Sequence, residues 1–142
     1  MQNLGMKLAA LGWLSLILFS STSIGGMWAE ASFRVVASRL LSSLHKGEPS
    51  YGMVNFAAEK CFHLAAFAVF AMLMWMVVPD VPWKLCAILA VGIVVGTTSE
   101  LLQSFFPGRD PAMRDVVINS IGTIVGATLS LAFSRKANDK TS

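Results

Sequence analysis

Long apolar runs alternate with short polar breaks along the chain, and the runs have the length of membrane crossings. Residues 7–24, 62–78, 85–105 and 111–133 each approach the roughly 20 apolar residues that span about 30 Å of hydrocarbon. Between the first two runs, Phe33, Val36, Ala37, Leu40, Leu41 and Leu44 recur at helical spacing, with Arg34, Ser38, Ser42 and Ser43 elsewhere on the wheel. That periodicity predicts an amphipathic helix lying at the interface or capping the bundle. The expected fold is all-α: an integral membrane four-helix bundle with an amphipathic helix in its first loop. One domain covers residues 1–142, and the polar tail, 134–142, is expected to fray.

The breaks carry turn chemistry. The stretch H-K-G-E-P-S-Y-G places His45 in a solvated loop. Pro107-Gly108 marks a tight turn, while Asp110-Pro111 reads as an N-cap followed by proline at the first helical position. The first run is apolar as far as Phe19 and ends in S-S-T-S-I-G-G, where a secretory signal peptide competes with a retained helix. Three further runs already explain membrane targeting, so the retained helix is the expectation.

Two of the runs carry stripes of small and polar residues. Gly92, Gly96, Glu100 and Gln103 share one face of the third, and Asp115, Asn119, Gly122, Gly126 and Ser130 share one face of the fourth. Small residues every fourth position let helix backbones approach closely, so the two stripes are expected to pack against each other. Lys60 and His63, three apart, share a face in what reads as the first turn of the second run. Four crossings put the start of the second, the end of the third and the start of the fourth on one side of the membrane. Lys60, His63, Glu100, Gln103, Asp115 and Asn119 then lie at similar depth, with Arg109 in the turn above them. An ionisable group costs about 2.5–3.5 kcal/mol at the centre of a span, so this cluster is the candidate functional site.

Composition adds exclusions. Of 142 residues 55% are hydrophobic and 13% charged, and the net charge of +3 is spread among loops and tail. No concentrated basic face exists, so nucleic acid is not an expected partner. Cys61 and Cys86 lack any C-x-x-C spacing and read as buried small hydrophobes. One histidine with scattered carboxylates makes poor metal chemistry, so neither metal nor cofactor is expected. Cations are nearly balanced between the two sides. Discounting Lys60 and Arg109 as site residues leaves Lys7, Lys84, Arg135, Lys136 and Lys140 to mark the cytoplasmic face, with both termini inside and the cluster facing outward.

The stretches V-N-F-A-A-E-K-C-F-H-L-A-A-F-A-V-F-A-M-L and S-E-L-L-Q-S-F-F-P-G-R-D-P-A-M-R-D-V-V-I-N-S-I-G-T-I-V-G resemble the VanZ-like family, small bacterial membrane proteins named after a teicoplanin-resistance determinant. Where that family often has R-K or D-K before its histidine, this chain has Glu59-Lys60. A tyrosine common further along the same helix has no counterpart, and Ala66, Phe67 and Phe70 occupy its neighbourhood. The resemblance implies a bacterial cytoplasmic-membrane protein of the cell envelope, with reduced susceptibility to a lipoglycopeptide for the name-giving member. In that setting Lys60, His63 and Arg109 suit phosphate or carboxylate, while Glu100, Gln103, Asp115 and Asn119 suit sugar or peptide donors. The leading expectation is binding or modulation of an amphiphile, either a lipid-linked wall precursor or a lipoglycopeptide. One alternative is an enzyme acting on a lipid headgroup, with His63 as general base and Glu100 or Asp115 orienting it; the other is a cluster that only joins helices.

Overall fold

The computed structural model describes residues 4–44 and 49–138; residues 1–3, 45–48, His45 among them, and 139–142, Lys140 included, lie outside them. Every element is helical: α1 Leu4–Ser20, α2 Ser23–Leu44, α3 Tyr51–Val77, α4 Lys84–Gln103 and α5 Met113–Asn138. Helices α3, α4 and α5 are each long and apolar enough to cross a membrane. Helices α1 and α2 qualify only as a pair, bent by 103°, so the described chain has three crossings, or four if the bent pair counts as one.

The bend is written in the S-S-T-S-I-G-G stretch. Ser20 and Thr22 turn their hydroxyls back onto the carbonyls of Ile17 and Phe19 at 2.6 and 2.8 Å, which competes with continuation of the helix. Thr22 Oγ1 then accepts the Gly25 N–H at 3.1 Å and caps α2. A Cβ on Gly25 would run into the Phe19 carbonyl, so only glycine lets the second helix leave so sharply. The first run therefore stops at Ser20 instead of continuing to Ile24. The amphipathic helix starts ten residues earlier than its apolar periodicity suggested, at Ser23 rather than Phe33. Of its expected apolar face, Phe33, Ala37 and Leu41 pack inward, whereas Val36, Leu40 and Leu44 are exposed.

Helix α3 is the hub and touches all four others, α5 most extensively. Phe62, Ala66, Phe67 and Phe70 on α3 meet Ile17 of α1 and Ala29 of α2 in the main apolar core. Ala71, Ile88 and Ala127 tie α3, α4 and α5 together lower down. Helix α3 begins at Tyr51, not near Phe62, because its first turns are packed against α2 through Val54, Ala58 and Ala37. Lys60 and His63 thus sit well inside a helix, roughly 14 and 18 Å from its start at about 1.5 Å per residue. They still share one face, as their spacing required.

Several local readings change. Asp110 is exposed and α5 starts at Met113, so Asp110 does not cap it. Residues 134–138, expected to fray, continue α5, where Arg135 and Lys136 complement its dipole and Ser134 receives the Trp75 indole N–H at 3.2 Å. Lys84 is buried rather than free at the interface: it pairs with Asp80 at 2.7 Å and lies 4.7 Å from the Trp75 ring. Cys61 is half-buried and Cys86 exposed, because both fall off the packing stripes of their helices.

The indole of Trp13 on α1 donates to the backbone carbonyl of Ala66 on α3 at 2.8 Å. Trp13→Phe keeps most of the packing and removes this bond. Thermal unfolding in detergent should show a loss of about 1 kcal/mol, and no loss would mean the bond contributes nothing to docking α1.

Candidate functional site

The glycines decide how closely the site-bearing helices meet. On α5, a Cβ at Gly122 or Gly126 would strike the backbone carbonyls of Leu64 and Ala68 on α3. On α4, a Cβ at Gly92 or Gly96 would strike the side chains of Thr123 and Asn119 on α5. The two glycine stripes therefore do not pack against each other as expected. The α5 glycines lie on α3, while the α4 glycines lie on Thr123 and on Asn119, the one member of the α5 stripe that they meet. Both stripes are nonetheless buried faces, and the polar residues that continue them are buried too: Glu100, Gln103, Asp115 and Asn119 are at most 5% exposed.

Two sets of contacts result. In the first, Lys60 Nζ lies 2.7 Å from Asp115 Oδ2 and 3.0 Å from Glu59 Oε2. Arg109 reaches Glu30 Oε1 on α2 and Glu59 Oε1 on α3, each at 3.5 Å, through the space that a Cβ on Gly26 would fill. His63 Nδ1 donates to Asn119 Oδ1 at 2.9 Å. In the second set, at the seam of α4 and α5, Gln103 Nε2 donates to Glu100 Oε1 at 3.1 Å, and the Ala112 N–H donates to Glu100 Oε2 at 3.1 Å. Glu100 thereby caps α5 from another helix, the role its own Asp110 was expected to fill.

The turn that carries Arg109 is set by Pro107-Gly108. The Arg109 N–H donates to the Phe106 carbonyl at 3.3 Å and Gly108 has φ of 77°, the arrangement of a type II turn with proline second and glycine third. All seven expected residues thus converge in one polar layer crossed by α3, α4 and α5. No hydrogen bond joins the two sets among the described residues. Among the described residues His63 makes no hydrogen bond to a carboxylate, and Asn119 takes the place expected of Glu100 or Asp115. Ser99 and Ser104 are occupied with carbonyls of their own helix, those of Gly96 and Leu101.

Glu30 and Glu59 are members the sequence reading missed. Glu59 had a signal, since it precedes Lys60 and stands four before His63 on the same face. Glu30 had only its isolation in a stretch of small and apolar residues. With both included, Lys60 and Arg109 pair with Asp115, Glu59 and Glu30, and Arg34 also acts on Glu30, so the expected anion-binding cations are engaged by the chain itself. Polar capacity remains: Asp115 Oδ1, Gln103 Oε1, Asn119 Nδ2 and Arg109 Nε are buried without a hydrogen-bond partner.

Beside the second set, an open groove of about 280 Å³ runs between the end of α4 and the start of α5. Leu101, Pro111, Met113 and Val116 form its walls, and Glu100 and Ala112 lie at its polar edge. The volume is near the lower end, about 300 Å³, of small-molecule pockets, enough for a segment of a long chain.

Fold and site together define a small multi-pass helical membrane protein with a buried polar layer of paired charges opening beside an apolar groove. The chain belongs to the VanZ/LLP1 family, whose model matches residues 6–134. No curated protein and no solved structure matches it.

Proposed function

We propose that the chain binds an amphiphile of the cell envelope, with an acyl segment in the α4–α5 groove and its polar group against Glu100 and the layer behind it. The observation that carries this reading is the groove itself: apolar walls end at a carboxylate buried between two helices. Its two oxygens hold one hydrogen bond each and keep acceptor capacity for a hydroxyl or amide. Gln103 Oε1 adds another acceptor, and Arg109, held only by long contacts, keeps donors for a phosphate or carboxylate. A lipid-linked wall precursor offers all these groups, as does an acylated glycopeptide antibiotic. The layer on this reading faces the outer leaflet of the cytoplasmic membrane. An amide rather than a carboxylate orients His63, which favours binding over headgroup hydrolysis.

Cells with and without the chain, challenged with teicoplanin and vancomycin side by side, test the proposal. The expected result is a shift confined to the acylated drug. Glu100→Gln, which retains an acceptor for the Ala112 N–H but removes the charge, should accumulate normally and abolish the shift. Val116→Trp, which fills the groove, should do the same. Direct binding of a lipid-linked precursor to purified protein in nanodiscs, followed by native mass spectrometry, should weaken in both variants. Equal binding by wild type and Val116→Trp sinks the groove reading.

A further inference from the structure

We infer that Glu59, His63 and Asp115 form a site for one divalent transition cation of the Mn²⁺ or Zn²⁺ kind. They look scattered in the sequence, but one ligand atom from each lies within 4.8 Å of the others, on the facing surfaces of α3 and α5. Two carboxylates and one imidazole make a mixed oxygen and nitrogen set. Such a set suits Mn²⁺ or Zn²⁺ better than Ca²⁺, which takes oxygens alone.

Two further observations point to a ligand. Asp115 is wholly buried, yet among the described residues only its Oδ2 is used, on Lys60, and Oδ1 has no hydrogen-bond partner. Leaving a buried carboxylate oxygen idle is costly unless something takes it. His63 Nδ1 lies 2.9 Å from Asn119 Oδ1, and the tautomer that donates this bond leaves Nε2 with a free lone pair. That is the outer-shell arrangement by which proteins present imidazole to a metal. Glu59 need not release its partners, because each carboxylate oxygen has more than one lone pair.

Three protein ligands leave other coordination positions to water or to an oxygen of a bound molecule.

The test uses the purified full chain in detergent, stripped with a chelator, and needs no amphiphile, so its failure is separate from failure of the binding proposal. Mn²⁺ is titrated with its free-ion electron paramagnetic resonance signal as readout, and Zn²⁺ against a chromophoric chelator. Wild type should take up one ion per chain. His63→Gln and Glu59→Gln, checked for helicity and monodispersity, should each weaken binding at least about 10- to 100-fold. Ca²⁺ at the same concentration should compete poorly. No saturable uptake by the wild-type chain overturns the proposal, and so does uptake unchanged in folded Glu59→Gln and His63→Gln.

Discussion

Replacing Lys60 with methionine lowers the stability of the purified protein by about 3–5 kcal/mol, the largest loss expected from any single change in the polar layer. Lys60 Nζ is the partner of Asp115 at 2.7 Å, and Asp115 is wholly buried at the α3–α5 interface. Without the ammonium, neither carboxylate oxygen of Asp115 has a hydrogen-bond partner among the described residues. The variant then leaves an uncompensated charge buried between helices, and that penalty exceeds what the pair itself contributed. Lys60→Met combined with Asp115→Leu should recover most of the loss, since apolar residues of similar volume replace a buried pair at little net cost. The Lys84–Asp80 pair is the internal comparison: Asp80 is 96% exposed and Asp80→Asn keeps an Oδ1 acceptor for the Lys84 ammonium, so the change should cost less than Lys60→Met. The measurement is reversible unfolding in detergent, arranged as a double-mutant cycle. A loss below about 1 kcal/mol for Lys60→Met would falsify the burial argument, because exposed pairs contribute no more than that.

Gly126→Ala should have the second-largest effect, and it reaches the site without touching it. The added Cβ meets the carbonyl of Ala68, a backbone atom that cannot rotate away, so α5 must move off α3. Overpacking of this kind costs about 1–3 kcal/mol, and occasionally more. The same interface carries the Lys60–Asp115 and His63–Asn119 contacts, so separating the helices loosens both. Gly12→Ala is the control: nothing lies within 4 Å of the added Cβ on α1, and alanine is the better helix former by about 1 kcal/mol. Unfolding temperatures should fall for Gly126→Ala and hold or rise for Gly12→Ala. Equal stability of the two variants would mean that α3 and α5 are not in backbone contact at Ala68.

The polar layer was legible because membrane helices advertise it. Glu100, Gln103, Asp115 and Asn119 continue glycine stripes at helical spacing, and a charged group in an apolar run has few places to go except an interface. Convergence followed from counting crossings. Less legible were Glu30 and Glu59, which join through Arg109, a residue whose reach depends on the turn at Gly108 and the gap at Gly26. Counting them turns a cluster that looked suited to anions into one whose cations are already paired within the chain. His63 shows the same boundary: its face was evident from Lys60, but the choice of Asn119 over a carboxylate as its partner was not.

Hydropathy and periodicity, both local properties, were enough to settle that this is an all-helical membrane chain, which faces of α4 and α5 are buried, and which polar residues lie on them. Tertiary structure alone decided what each face meets. It sent Gly122 and Gly126 to α3 instead of α4, broke the first run into two helices at 103°, extended α3 back over α2, and gathered Glu59, His63 and Asp115 into one small volume. Spacing along a helix determines the side that must leave the lipid, but its partner is chosen by competition among all the surfaces that the turns bring within reach, and no stretch of sequence encodes that competition by itself.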